Sequence, residues 1–242
     1  PSAPAALRPT VLYFHGGGFV LGSLDSHDAL CHHLCSQSGA QVLAIDYRLA
    51  PKHPFPAALD DARIAAKWLC DHADVIHADP ARLAIGGDSA GANLATTACR
   101  LLHSTDGQAF RYQLLIYPML DLRLNQPSVQ SFGEGYRLTA DILRWFVTCY
   151  VPEMDRVSDP LISPLLAPDL SSLPASLVLT AGFDPLRDEG LAYAAALRQA
   201  GVTCETMDYG DMIHGFCNMP GSLQQARNAL AVLGRKLAEA LT

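Results

Sequence analysis

The stretch Gly87-Asp88-Ser89-Ala90-Gly91 decides how this chain is read. The apolar run Arg82-Leu83-Ala84-Ile85-Gly86 comes just before it and reads as a strand. The run Ala92-Asn93-Leu94-Ala95-Thr96-Thr97-Ala98 comes just after it and reads as a helix. A serine on so sharp a strand-to-helix turn is held with its hydroxyl exposed, in a backbone conformation that side chains crowd. Glycines two before and two after it remove the Cβ atoms that would collide there. A Gly-x-Ser-x-Gly match arises by chance about 0.1 times in a chain of this composition, so context must carry the weight.

The strongest context lies upstream. His15-Gly16-Gly17-Gly18 follows a second strand pattern, Val11-Leu12-Tyr13-Phe14. A chance His-Gly-Gly-Gly is expected on the order of 0.004 times. A hydrolase needs such a loop at the end of an earlier strand, to present backbone N–H groups to a developing oxyanion. Gly16 and Gly17, with the N–H of Ala90 in the nucleophile turn, are the expected donors. His15 reads as structural. A phosphate loop is excluded, because no Gly-Lys-Ser/Thr follows Gly91, and the spacing Gly86, Gly87, Gly91 does not fit the dinucleotide fingerprint.

A serine hydroxyl needs a base within reach and a third group to orient that base. Nine His occur in the chain. Of these, His103 and His214 follow Ser89. His103 lies in the helix that Ser89 opens and points elsewhere. His214 follows a predicted strand, in a loop closed by Gly215, and is the expected base. Asp184 directly follows another strand pattern and is the expected acid. Asp188 and Glu189 are its rivals, placed where carboxylates favour the first turn of a helix for structural reasons.

Composition sets the outer bounds. The net charge is −7 and no basic stripe offers a footprint for nucleic acid. No apolar run approaches the length of a membrane span. The seven Cys are odd in number and scattered, which is not a disulfide framework. A reducing compartment, the cytoplasm, is therefore expected, with no signal peptide visible. Cys31, His32 and Cys35 invite a metal site, but no second ligand pair lies nearby, and none is expected.

Strand and helix patterns alternate along the chain. Strands are predicted near 9–14, 41–46, 82–86, 112–117, 176–181 and 203–208. Helices are predicted near 27–37, 57–72, 90–103, 139–150, 187–200 and 222–240. Short apolar strands between helices imply an α/β fold, with a mostly parallel central sheet covered by helices on both faces. The expected organisation is a single domain over 1–242. The segment 121–173 breaks the alternation and reads as a lid, with Thr139 as the N-cap of an aromatic helix. Phe19, Trp145, Phe146 and Phe216 are the candidate pocket residues, and Phe132, Tyr136 and Tyr150 are further lid aromatics.

These motifs together resemble the hormone-sensitive-lipase-like esterases, bacterial family IV of the α/β-hydrolases. The likeness rests on His15-Gly16-Gly17-Gly18, Tyr47-Arg48-Leu49-Ala50-Pro51, Gly87-Asp88-Ser89-Ala90-Gly91, Asp184-Pro185-Leu186-Arg187-Asp188-Glu189 and His214-Gly215-Phe216. It implies a triad of Ser89, Asp184 and His214, and an oxyanion hole of Gly16, Gly17 and Ala90. It also implies hydrolysis of short- to medium-chain acyl esters through an acyl-enzyme, without a cofactor. Tyr47 and Arg48 become structural braces. Pairing into a homodimer through the last strand, Thr203–Asp208, is a further implication. Hydrolysis of amides or thioesters by the same triad stays open. So does a catalytically silent small-molecule binder, although the presence of His214 argues against that.

The chain departs from the family pattern in two places. Ala92 stands where a further Gly is usual. Family members usually carry cap helices and two strands ahead of the His-Gly-Gly-Gly strand, whereas here 14 residues precede His15. The strand Gln41–Asp46, apolar on both faces, is then expected at a sheet edge, in a chain that is truncated or shielded by another subunit. A reduced lid implies tolerance of bulky alcohols or weak chain-length selectivity.

Overall fold

The computed structural model describes residues 6–106 and 109–242. Six strands form one sheet: β1 (Arg8–Phe14), β2 (Gln41–Ile45), β3 (Ala78–Asp88), β4 (Tyr112–Ile116), β5 (Ala175–Phe183) and β6 (Cys204–Ile213). Their order is β2-β1-β3-β4-β5-β6, and every neighbouring pair is parallel. The helices are α1 (Leu24–Ser38), α2 (Ala57–Asp71), α3 (Ala90–Asp106), α4 (Pro127–Phe132), α5 (Ala140–Tyr150), α6 (Arg187–Gln199) and α7 (Gln224–Ala240).

Strand alternation sorts the core into two layers. Val11, Tyr13, Ala84, Leu114, Leu177 and Leu179 face α1 and α7, meeting Leu30, Leu34, Leu230 and Leu233. Leu12, Phe14, Leu83, Ile85, Leu115 and Val178 face the opposite way, onto α2, α3 and α6. Successive residues of one strand thus point into different cores. That is why these strands read as continuous apolar runs rather than as alternating ones.

Three strands, β3, β5 and β6, outrun the sequence expectation by two residues or more. β3 begins at Ala78, and β6 runs to Ile213. β5 and β6 stay paired to Phe183↔Ile213, past an irregularity after Ala181. β2 lies at one edge of the sheet, as expected, with all five residues half-buried. β6 lies at the other edge.

The segment between β4 and β5 folds as α4, α5 and two short 3₁₀ turns, Met154–Ser158 and Pro164–Leu166. The sequence reading found one helix there and missed α4, which is only six residues long. Thr139 caps α5, its Oγ1 accepting from the Ile142 N–H at 3.2 Å.

Candidate active site

Ser89 separates β3 from α3 at φ +55°. Its own N–H donates to the Ile116 carbonyl at 2.9 Å, which ties the turn to β4. A Cβ on Gly87 or on Gly91 would run into the Phe14 carbonyl of β1 and, for Gly87, into Gly91 itself. The motif's glycines are therefore demanded by a close approach of three backbone segments.

His214 Nε2 lies 3.0 Å from Ser89 Oγ. His214 Nδ1 lies 2.7 Å from Asp184 Oδ2. Asp184 is wholly buried, and its other oxygen accepts from the Leu186 N–H at 2.8 Å. The three side chains come from the C-terminal ends of β3, β5 and β6, with β5 and β6 adjacent and β4 between β3 and β5. Tyr117 packs its ring against His214 with centroids 4.7 Å apart.

The rivals of Asp184 have other duties. Asp188 Oδ2 accepts from the Ser128 N–H at 2.9 Å, holding the start of α4. Glu189 is wholly buried and its Oε1 accepts from the N–H groups of Leu120 and Asp121, at 2.5 and 3.2 Å. Burial pushes its carboxyl well above the ordinary value, against the pull of those two donors. Both acids anchor the start of the segment between β4 and β5, a more specific task than favouring a helix dipole.

The glycine loop departs from expectation at one position. The Gly16 N–H donates to Asp88 Oδ1 at 2.9 Å and so is not free for an oxyanion. Among the described residues, the N–H groups of Gly17 and Gly18 have no protein acceptor, and both glycines line the cavity beside Ser89. Gly17 and Gly18 have φ of +121° and +61°. Ala90, the first residue of α3, has an N–H with no acceptor inside the helix.

Asp88 collects the polar groups under this loop. Tyr13 Oη donates to its Oδ1 at 2.8 Å. On the other oxygen, His27 Nε2 lies at 3.2 Å and Asn218 Nδ2 at 3.1 Å. Burial opposes ionisation of Asp88, yet His27, Tyr13 and Gly16 together hold its pKa below the ordinary carboxylate value. Burial likewise disfavours charge on His27, but the Asp88 carboxylate outweighs it and the His27 pKa is raised. The sequence reading missed this network. Its one visible signal was the carboxylate inside the nucleophile motif.

His15 is buried, with Nδ1 2.8 Å from the Gly16 carbonyl. Tyr47 stacks on the His15 ring at 4.3 Å and donates its hydroxyl to the His15 carbonyl at 2.7 Å. Arg48 forks onto Asp61, with Nε–Oδ2 at 2.9 Å and Nη2–Oδ1 at 2.7 Å. These side chains brace the loop from outside the cavity. His103 is held by the Ser172 carbonyl at 2.9 Å, remote from Ser89.

The cavity over Ser89 has a volume of about 430 Å³. Its apolar wall is Leu21, Met119, Leu138, Ile142, Leu143 and Phe146, and its polar lining includes Ser26, His27, Arg137 and Asn218. Of the candidate pocket aromatics, Phe146 lines it. Phe19 does not: it is buried under the loop and stacks on Tyr150 at 3.8 Å. Trp145, one residue before Phe146, falls on the outer side of α5 and is 49% exposed. Phe216 turns into the core below His214, against Tyr117 and Tyr209.

Comparison with known proteins agrees with this geometry. The alpha/beta hydrolase fold family matches residues 11–218. A carboxylic ester hydrolase of Mycobacterium tuberculosis is 46% identical over 90% of this chain and 60% of its own. An ethyl acetate hydrolase of Pseudomonas putida is 42% identical, over 98% of this chain and 75% of its own. A solved thermostable carboxylesterase, EstE1, cloned from a metagenomic library, superposes with a TM-score of 0.95 at 39% identity, over 99% of this chain and 82% of its own. The chain thus spans 60% of the first relative's length and about three quarters of the second's. It belongs to the alpha/beta hydrolase fold family, in its hormone-sensitive-lipase-like branch.

Proposed function

We propose that Ser89, His214 and Asp184 are the triad of a serine carboxylesterase acting on short- to medium-chain acyl esters. The observation that carries this is the unbroken relay of 3.0 and 2.7 Å from a serine on a positive-φ turn to a buried carboxylate. Ser89 Oγ attacks the ester carbonyl carbon as His214 Nε2 takes its proton. Asp184 fixes the imidazole through Nδ1 and stabilises its positive charge. The oxyanion forms facing the N–H groups of Ala90, Gly17 and Gly18, each donor worth roughly 3 kcal/mol of barrier. Collapse breaks the bond to the alcohol oxygen, which leaves with the proton from His214. Water, deprotonated by His214, then attacks the acyl-serine and returns the carboxylic acid and free Ser89.

In this reading 1–242 acts as one catalytic unit, with 121–173 as its lid. It works in the cytoplasm, where its seven Cys stay reduced. It pairs with a second copy through the β6 edge, where half the main-chain groups face away from the sheet. Among the described residues no helix is long and apolar enough to cross a membrane. Labelling by a fluorophosphonate probe, and kcat/KM on esters of rising acyl length, test the catalytic reading. Both signals must vanish in Ser89→Ala, and persistence of either would refute it.

A further inference from the structure

The acyl-transfer chemistry leaves one charged residue of the cavity unused. Arg137 lies in the lid just ahead of the N-cap of α5 and lines the cavity next to Leu138. Its φ is +62°, and the Leu138 N–H donates across it to the Tyr136 carbonyl at 2.6 Å. That bond closes a γ-turn of the rare, strained hand. A residue with a Cβ takes such a conformation only where its surroundings impose it, and such positions cluster at ligand sites.

The turn lays the guanidinium beside the base. Arg137 Nη1 is 3.2 Å from where a Cβ on Gly215 would stand, and Gly215 directly follows His214. Among the described residues no carboxylate lies within ion-pair distance of Arg137, although Arg48, Arg82, Arg123, Arg144 and Arg156 each have one. The other charged groups of the cavity lining are Asp88 and His27, which are buried and pair with each other, Asp88 also being met by Tyr13, Gly16 and Asn218. The exposed mouth is left with an unanswered positive charge, within a protein of net charge −7.

The side of the cavity follows from the mechanism. His214 must hand its proton to the departing alkoxide, so the alcohol portion of the ester lies on the His214 side. Arg137 flanks that side. We propose that Arg137 is a specificity-determining residue that selects esters whose alcohol portion carries an anionic group such as a carboxylate. Guanidinium suits the task, being permanently charged and shaped to fork onto a carboxylate. This inference rests on the esterase reading.

A matched pair of substrates tests it: 4-acetoxybenzoate, whose leaving phenol carries a carboxylate, and the neutral 4-acetoxybenzamide. The readout is the ratio of their kcat/KM values, in which any general loss of activity cancels. At low salt the ratio falls by about three- to tenfold in Arg137→Gln, the range for an exposed pair made in a cavity mouth. Arg137→Gly, which suits the positive φ, lowers it equally, and Arg137→Lys keeps most of it. About 0.5 M NaCl moves the wild-type ratio toward that of the neutral variants. Turnover of both esters with one ratio in the wild type, Arg137→Gln and Arg137→Gly overturns the inference and leaves the esterase reading intact. No turnover of either ester by the wild type overturns the esterase reading, and this inference with it.

Discussion

Phe183 and Ile213 form the last paired rung between β5 and β6, and the hydrogen bond between Asp184 and His214 follows from it. Each functional residue is the next one along its strand. Parallel pairing therefore delivers acid and base side by side, and their 2.7 Å contact needs no long loop to hold it. The same device seats Ser89 directly after Asp88, at the end of β3.

If Asp184 orients His214, Asp184→Asn lowers kcat by roughly four orders of magnitude with KM little changed, because the amide favours the wrong tautomer. Steady-state kinetics on a short-chain p-nitrophenyl ester measures this. A loss below a hundredfold would move the role to another acid. Asp188→Asn, which loosens only the Ser128 anchor, is the comparison.

His27 and Asp88 give a pH-dependent prediction. Removing His27 leaves a buried carboxylate short of its counter-charge. His27→Gln should then cost about 3 kcal/mol, or roughly 6–12 °C in Tm for a chain of this size. The His27 pKa is raised above its ordinary 6.5. The stability it contributes is therefore full below 6.5 and is lost as pH rises through the higher folded value. The Tm gap between wild type and His27→Gln must narrow between about pH 6 and pH 9. A gap that stays constant over that range would mean that His27 is not charged in the folded protein.

The difference between what could and could not be read in the sequence has a physical basis. The meeting of Ser89, Asp184 and His214 was legible because local steric demand and chain order mark these positions: glycines where backbones touch, and polar residues straight after apolar strands. The pocket was not, because an aromatic residue's identity does not say which way it faces. Trp145 and Phe146 are neighbours on α5 about 100° apart around the helix axis, and one faces solvent while the other faces the cavity. Phe19 and Phe216 were displaced by stacking on Tyr150 and packing against Tyr117, partners far away in sequence. Gly16 was lost from the oxyanion set to a carboxylate 72 positions away.

Glu189 titrates in the same sense for a different reason. Burial raises its pKa above the ordinary 4.5, so the neutral carboxyl is favoured in the folded state. An acid raised in this way contributes stability at low pH that is lost as pH rises through the folded value. Glu189→Gln keeps an acceptor for Leu120 and Asp121 without the ionisation. Relative to wild type its Tm should improve with pH, by several degrees between about pH 5 and pH 9. Scanning calorimetry across that range decides the matter, and a variant that loses ground toward alkaline pH sinks the argument.

Phe146 sets the depth of the cavity. Its ring covers Gly18 so closely that a Cβ on that glycine would meet the ring carbons. The ring is 7% exposed and joins Ile142 and Leu143 in the cavity wall. Truncating it opens space beside the glycine loop, where an acyl chain must pass to bring its carbonyl to Ser89. Each methylene newly accommodated is worth about 1–3 kcal/mol. On a p-nitrophenyl series, Phe146→Ala should therefore raise the octanoate-to-acetate ratio of kcat/KM by at least about tenfold. Trp145→Ala, which removes a larger ring from the solvent side of α5, should move that ratio less than about twofold. Equal shifts in both variants would mean that the lid as a whole, rather than the Phe146 ring, limits the acyl chain.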